Sequence, residues 1–210
     1  MDKEPQTPAE KKTIPPQEEG TRLDLAQSVT ARRTNEAAEL FAAAKERLSR
    51  INEWHLLCGP ASARFQLTGP DSDPKEAPPQ PGDYIRIGLP APGSPAGEGY
   101  DWVRVELVET LDDPAGEHEH FALRVRPSDN PRNNRDDVAH FYTDAATSTF
   151  LVERNGHVVT AGVHGRNEVP NVEQAESLVD KARNTLVALP ALAGLAKMQW
   201  TSLIQGVLGK

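Results

Sequence analysis

The pattern of hydrophobic and polar positions predicts a strand, a helix, six more strands and a long final helix, in that order. Residues 22–30 alternate between apolar and polar side chains, which indicates a first strand. Between Asn35 and Ile51 the apolar residues recur at steps of three and four, which predicts the first helix. Acidic residues near the start of this segment and basic residues near its end favour the helix dipole.

Six alternating segments follow this helix, and they read ARFQL, YIRIGL, DWVRVELVE, HFALRVR, STFLVER and HVVTAGV. The linkers at 68–83 and 90–99 are rich in proline and glycine, which predicts surface loops between antiparallel neighbours. Asn155-Gly156 separates the last two segments and favours a type I′ turn. With that two-residue turn Arg154 faces His157, and the apolar side chains of both strands share one face.

A long amphipathic run ends the chain, beginning after Pro170 with Asn171 as its N-cap. An unbroken helix over this run would be about 55 Å long, whereas a domain of this size has a radius of gyration of about 16 Å. The helix must therefore bend or project from the domain. Because proline clashes with the carbonyl group four residues earlier, we predict the bend at Pro190.

Residues 1–20 contain charges and prolines but no spaced apolar residues and no signal-like apolar stretch, so they are predicted to form a disordered tail. Residues 21–210 are predicted to form a single domain. The predicted fold class is α+β: a curved antiparallel sheet of six to seven strands wraps a long, kinked C-terminal helix, with one N-terminal helix.

This order resembles the helix-grip superfamily, which includes the START, Bet v 1 and polyketide-cyclase-like proteins. The resemblance rests on a strand near 22–30, helical sequence over 35–51 that runs into Asn52-Glu53-Trp54-His55, six strands and a final helix. One clear helix is predicted before the second strand, where the family commonly has two.

The resemblance implies that an apolar or amphipathic small molecule lies between the sheet and the last helix. It also implies a lining formed by the apolar stripe of that helix and by Phe65, Leu67, Ile85, Ile87, Val103, Val105, Phe121, Leu123, Phe150, Val152 and Val159. The same side chains could instead fill a core, because apolar pockets and apolar cores are formed by the same types of residue.

Composition and charge narrow the classes of partner. The chain is 37% hydrophobic and 26% charged, with a net charge of -8, which argues against nucleic acid and anionic membranes as partners. Residues 186–208 are the most apolar stretch but contain too many polar residues to span a membrane. Cys58 is the single cysteine, which excludes an intramolecular disulfide and fits a reducing compartment, so we expect a cytoplasmic protein.

Polar residues with useful chemistry concentrate in two segments. The segment 164–168 leaves the last strand just before the final helix, and His140 with Tyr142 lies in the connection after Pro131. If the two segments meet at one rim, histidine and carboxylate groups there could transfer protons near neutral pH. In the alternative interpretation these residues cap the helix and fix a loop. With one aromatic residue near the predicted rim, the predicted ligand-binding residues are Trp54, His140, Tyr142, His164, Arg166 and Glu168.

Two other patterns are weaker as sites. Arginine lies between apolar neighbours in four consecutive strands, so these arginines share one face and could bind a carboxylate or phosphate, or form a solvated face paired with Glu106; they are Arg64, Arg86, Arg104 and Arg124. His55 and Cys58 lack the second spaced pair that a zinc site needs. We therefore predict no metal and no cofactor.

The leading hypothesis is a binding protein for a small apolar or amphipathic molecule. A second hypothesis is an enzyme of cyclase or dehydratase type on the same scaffold. A third is an interaction protein in which the C-terminal helix, from Pro190 onward, contacts a partner or a second copy of the chain.

Overall fold

The computed structural model describes residues 6–59, 62–89, 96–113, 116–132, 138–171 and 185–210. Its helices are α1 (Pro8–Thr13), α2 (Thr34–Ser49), a 3-10 turn (Ile51–Glu53), α3 (Trp54–Cys58) and α4 (Thr185–Val207). Its strands are β1 (Thr21–Thr30), β2 (Arg64–Thr68), β3 (Tyr84–Gly88), β4 (Asp101–Leu111), β5 (His118–Pro127), β6 (Thr147–Asn155) and β7 (Val158–Glu168).

The seven strands form one antiparallel sheet in the order β1-β7-β6-β5-β4-β3-β2. The six strands after α2 therefore pair with their sequence neighbours, as alternation and short connections predict. The first strand, β1, lies at the edge of the sheet opposite β2 and pairs with the last strand, β7. This architecture confirms the predicted α+β class and the strand-helix-six-strand-helix order.

One face of the sheet, which we call the inner face, packs against α2, α3 and α4. Its strands contribute the alternate apolar residues, which are buried together with residues of the helices; among them are Phe65, Leu67, Ile85, Val103, Val105, Phe121, Leu123, Val125, Phe150, Val152, Val159, Ala161 and Val163. The opposite face, which we call the outer face, presents the intervening side chains. The predicted lining is thus on the predicted face, and Ile87 is its half-buried member.

The last two strands form the predicted hairpin, but its turn lies one residue further along. Asn155 pairs with Val158, so the turn residues are Gly156 and His157 instead of Asn155 and Gly156. Gly156 has φ +58°, which suits the first turn position of a type II′ hairpin. Phe150 now faces Val163 rather than Ala161. The pairing moves by two positions, so every side chain keeps its predicted face.

The N-terminal segment (residues 6–20) differs from the predicted disordered tail. Thr7 caps α1 through a capping box with Glu10, and Ala9 packs on Ala122 and Leu151 of the outer face. Three further contacts hold the segment: Thr7 Oγ1 donates to Glu153 (2.8 Å), Lys12 binds Glu109 (2.9 Å) and Arg124 donates to the carbonyl of Thr13 (3.1 Å). A helix of six residues is too short for hydrophobic periodicity, which explains why the pattern does not reveal it.

Two differences concern the other helices. A short second helix, α3, follows α2, where the sequence shows one clear helix. The final helix runs without a break from Thr185 to Val207, and the bend at Pro190 stays a prediction. Residues 172–184 lie outside the described residues, so the predicted helix start with Asn171 as its N-cap stays a prediction.

The end of α4 packs on the sheet, since its apolar residues are only 1–3% exposed; they are Leu203, Ile204, Val207 and the following Leu208. A contact between copies through this helix stays a prediction. Among the helices of the described ranges, none combines the length and the apolar character needed to cross a membrane.

Candidate functional site

Four aromatic rings meet between the inner face and the helices. The ring centroids of Trp54 and Phe150 are 4.7 Å apart, those of Phe65 and Trp200 are 5.9 Å apart, and those of Phe150 and Trp200 are 5.2 Å apart. We call Trp54, Phe65, Phe150 and Trp200 the aromatic cluster. Trp54 is 1% exposed and donates its indole N–H to the carbonyl of Leu48 at 3.0 Å. Trp54 therefore belongs to the core, while Trp200 is half-buried and offers an open edge.

The space between the cluster and the end of α4 is nearly filled. About 180 Å³ of unfilled space, partly open to solvent, remains there; it is lined by Leu48, Phe150, Leu151, Ala161, Gly162, Val163, Leu203, Ile204 and Val207. Ligand pockets for small molecules usually measure about 300–1,000 Å³. This end of the inner face is consequently core.

On the other side of the cluster the inner face becomes shallow. The cross-strand pair Phe150–Val163 is followed on that face by the pair Ser148–Gly165. A glycine and a serine add almost no side-chain volume, and Ser148 is half-buried although it lies on the apolar face. Beside the aromatic cluster, the inner face therefore has only small side chains at this cross-strand pair. Val125 of β5 lies next to Ser148. We call the area over Ser148 and Gly165 the small-residue floor.

A carboxyl group reaches this floor from the end of β7. Four residues of β7, from Gly165 to Glu168, oppose three of β1, from Leu23 to Thr21, so β7 contains a bulge of one extra residue. A bulge re-aims the side chains that follow it. Oε1 of Glu168 lies 2.2 Å from where a Cβ on Gly165 would stand, so the missing side chain of Gly165 makes room for the carboxyl group.

Tyr142 completes the polar end of the floor. Its hydroxyl oxygen is 3.5 Å from Oε2 of Glu168, and the hydroxyl of Thr21 donates to the same oxygen at 3.3 Å. Burial raises the pKa of the Glu168 carboxyl, and burial with the nearby Glu168 charge raises the pKa of the Tyr142 phenol. The pair can accept hydrogen bonds from a bound molecule or hold a proton.

His140 supports Tyr142 and does not titrate near neutrality. Its Nδ1 accepts a hydrogen bond from the backbone N–H of Tyr142 at 3.0 Å, and its ring stacks on Phe141 with centroids 4.5 Å apart. Burial lowers the pKa of His140 to about 3, because the charged imidazolium loses its hydration. His140 is therefore neutral at physiological pH, and the proton-transfer role predicted for it does not fit this environment.

His164 and Arg166 lie on the outer face, away from the floor. Asp24 accepts hydrogen bonds from both, at 2.9 Å from His164 Nδ1 and 2.8 Å from Arg166. Burial acts to raise the pKa of Asp24, but hydrogen bonds from His164, Arg166 and Arg22 lower it to about 2. This network joins the exposed Asp24 of β1 to the buried His164 and Arg166 of β7.

Of the six predicted residues, the structure thus brings together Tyr142 and Glu168, with His140 behind them. His164 and Arg166 lie apart from these residues, because both are on the outer face. The residues that sequence reasoning missed are Ser148, Gly165 and Asn167. Ser148 and Gly165 could have been identified as small residues at strand positions where the alternation predicts apolar side chains.

Two of the four arginines in the row, Arg86 and Arg124, have side-chain partners on the outer face. Arg124 and Arg126 both bind Glu106, the former at 3.1 Å, as the solvated-face interpretation predicts. Arg86 stacks over the ring of Tyr100 at 4.6 Å. Within the described residues no group of three or more His, Cys, Asp or Glu side chains is placed to hold a metal ion. Burial raises the pKa of Cys58 to about 12, which keeps the thiol protonated.

Comparisons with known proteins find matches among solved structures alone. No protein-family model and no curated protein sequence matches the chain. Among solved structures, XoxI from Bacillus cereus is 10% identical with a TM-score of 0.36, covering 90% of this chain and 96% of its own. Norcoclaurine synthase from Thalictrum flavum is 9% identical with a TM-score of 0.33, covering 88% of each chain. Ara h 8.0201 is 10% identical with a TM-score of 0.37, covering 90% of this chain and all of its own.

At these identities and TM-scores the matches assign neither a family nor a function to this chain. The order of elements and the antiparallel sheet are those on which the resemblance to the helix-grip superfamily rests. By its order of elements and its antiparallel sheet, this chain resembles the helix-grip proteins in architecture.

Proposed function

We propose that this protein binds a small amphipathic molecule on the inner face, over the small-residue floor. The proposal rests on the order in which apolar, small and polar side chains follow one another along that face. The half-buried Trp200 and the buried Phe150 lie on one side, Ser148 and Gly165 form the floor, and the Tyr142–Glu168 pair lies at the far end. An apolar boundary with a few convergent polar groups is typical of small-molecule sites.

The dimensions favour a molecule of one or two rings. Two residues along a strand span about 7 Å, which is the offset from the Phe150–Val163 pair to the Ser148–Gly165 pair. The apolar body would pack on Trp200 and Phe150. Its polar group would reach the Glu168 carboxyl and the Tyr142 hydroxyl.

Filling the floor tests the proposal. We expect the neutral probe 1-naphthylmethanol to bind the wild-type protein and quench its tryptophan fluorescence. Ser148→Phe should abolish this binding because the new ring occupies the floor, whereas Ser28→Phe, at an exposed serine of β1, should leave binding unchanged. Unaltered binding by the folded Ser148→Phe protein would refute the proposed site.

Tryptophan substitutions locate the probe independently. Trp102 is buried with Ala96 and Ala139 on the outer face, so Trp102→Phe should keep the quenching. Trp200→Phe should remove most of it, because Trp200 borders the floor. Quenching that disappears in Trp102→Phe instead would place the probe on the wrong face.

A cyclase- or dehydratase-type enzyme is the second candidate, favoured by the raised pKa of Glu168 beside a phenol. Native mass spectrometry of protein purified from its host should reveal the retained molecule. Conversion of that molecule by the wild type but not by Glu168→Gln would support an enzyme. Retention without conversion by either protein would support binding alone.

A further inference from the structure

Asn167 has an unusual backbone conformation at the residue before Glu168. Its φ angle is +55°, in the left-handed region that residues with a Cβ rarely adopt, although asparagine tolerates it better than most. This residue lies in the bulge that adds one residue to β7. Without the bulge, strand alternation would put Glu168 on the outer face beside Arg166. The conformation of Asn167 therefore decides which face receives the carboxyl group.

The N-terminal segment contacts Asn167 from several sides. The Asn167 side-chain oxygen accepts hydrogen bonds from the backbone N–H groups of Glu18 (2.7 Å) and Glu19 (3.2 Å). Its side-chain nitrogen donates to the carbonyl of Pro16 at 3.3 Å. Its backbone N–H donates to Oε1 of Gln17 at 3.1 Å. Both the side chain and the backbone of Asn167 are thus held by residues 16–19.

The same segment also fixes the backbone of Glu168. A Cβ on Gly20 would lie 2.8 Å from the carbonyl carbon and oxygen of Glu168, so the two backbones approach too closely for any other residue. The φ angle of Gly20 is +63°, which glycine adopts freely. The hydroxyl of Thr21 then binds the carboxyl group itself. Residues 16–21 surround the bulge and its carboxylate.

We infer that Asn167 is a positioning residue through which the N-terminal segment turns Glu168 toward the small-residue floor, where its carboxyl group favours ligands that carry a cationic group over neutral ligands of the same shape. The ligand part of this inference rests on the proposed function. The conformational part does not, because it concerns only where the carboxyl group lies.

The conformational part is tested by the titration of Glu168 in the protein without ligand. The carboxyl carbon of Glu168 is followed by NMR in protein with ¹³C-labelled glutamate, and Glu168→Gln assigns its signal. Burial on the inner face raises the pKa of Glu168 in the wild type. In Asn167→Ala the carboxyl group should turn outward toward solvent and Arg166, so its pKa should fall.

Three further variants distinguish the loss of the contacts between residues 16–19 and Asn167 from general instability. Gln17→Ala leaves the sequence of β7 unchanged and should shift the pKa in the same direction. It removes the hydrogen bond to the Asn167 N–H together with those from Gln17 Nε2 to the carbonyl groups of Glu19, Gly20 and Thr21. Asn167→Gly permits the positive φ angle and should keep more of the raised value than Asn167→Ala. Lys11→Ala, at an exposed residue of α1, should change nothing. A raised pKa that persists in both Asn167→Ala and Gln17→Ala overturns the inference.

The selectivity part compares two probes of the same shape, 1-naphthylmethylamine, which is cationic, and 1-naphthylmethanol, which is neutral. We expect the wild type to bind the amine about tenfold more tightly than the alcohol, since charge-assisted hydrogen bonds are the stronger ones. Glu168→Gln and Asn167→Ala should both bring the ratio close to one.

The outcomes distinguish this inference from the proposed function. If neither probe binds the wild type, the proposed function fails, while the titration still decides the role of Asn167. If both probes bind with equal affinity and Ser148→Phe removes both, the site stands and the selectivity assigned to Glu168 is refuted.

Discussion

Arg154 carries a charge with none of its side chain exposed to solvent. It binds Glu119, itself 4% exposed, at 2.5 Å, and donates to the carbonyl groups of Asp113, Gly116 and Gly156. These contacts tie the β4–β5 connection to the β6–β7 turn. Apart from Glu119 of β5, the side-chain partners of this arginine are backbone carbonyl groups of these two connections.

Removing the partner of Arg154 should destabilise the protein strongly. Glu119→Ala leaves a buried charge without its counter-ion, and such changes cost about 3–5 kcal/mol. The double variant Glu119→Leu with Arg154→Met should cost less, because both charges leave the interior together. Urea unfolding of the two proteins provides the comparison. A loss below about 1 kcal/mol in Glu119→Ala would show that the pair is solvated.

His140 should contribute a pH dependence to stability. Its pKa is about 3 in the folded state, below its ordinary value, so the unfolded state binds more protons at pH values between the two. Stability should therefore fall as pH is lowered through this window. His140→Asn can keep an acceptor for the Tyr142 N–H but does not titrate, so its stability should depend less steeply on pH. Equal slopes for both proteins in thermal unfolding from pH 7 to pH 4 would contradict this expectation.

At the scale of elements, the β6–β7 hairpin depends on backbone freedom at Gly156. A Cβ there would meet no atom within 4 Å, so any loss comes from the φ angle of +58° and not from a clash. Gly156→Val should lower the free energy of unfolding by about 1–2 kcal/mol. His157→Val, at the second turn position, serves as the matched control. Equal stability of Gly156→Val and wild type in urea would argue against this turn.

Alternation predicts the strands well because each has one face in the core. Phe150, Val152, Val159 and Val163 identify the inner face whatever the turn, since a shift of the pairing by two positions preserves it. The turn itself was predicted one residue early, because Asn155-Gly156 suits a type I′ turn and Gly156 also suits the first position of type II′. Local residue preference alone does not distinguish the type I′ turn from the type II′ turn, whereas cross-strand packing does.

At the scale of the whole molecule, the N-terminal segment should contribute to stability. Deleting residues 1–19 removes the hydrogen bonds of Thr7 with Glu153 and of Thr13 with Arg124, each worth about 1 kcal/mol. We expect the Tm to fall by about 4–8 °C, given about 2–4 °C per kcal/mol for a chain of this size. An unchanged Tm would restore the interpretation of a loose tail.

Two point variants refine this test without shortening the chain. Ala9 is 7% exposed and packs on the outer face, so Ala9→Asp should lower the Tm. Lys11→Asp, at an exposed position of the same helix, should have little effect. A similar fall in both variants would show that added negative charge, and not lost packing, is responsible.

The candidate site was only partly predictable from the sequence. Tyr142 and Glu168 were expected at one rim and do meet, because the chain segments that carry them pair beside each other: Thr143 donates to Val169 and Asn171 donates to Phe141. Strict alternation groups His164, Arg166 and Glu168 on one face. The bulge at Asn167 breaks that rule, and the contacts that hold it come from residues about 150 positions earlier.

The pairing of β1 with β7 has a consequence for the order of events on the ribosome. Thr21 emerges 147 residues before its partner Glu168, which corresponds to a wait of about 7–30 s at about 5–20 residues per second. During that time residues 16–21 have no strand to dock on, and the sheet edge they will cover does not exist. The carboxyl group at the ligand site can be oriented only after synthesis has passed β7, so competence to bind should arise after the sheet is complete.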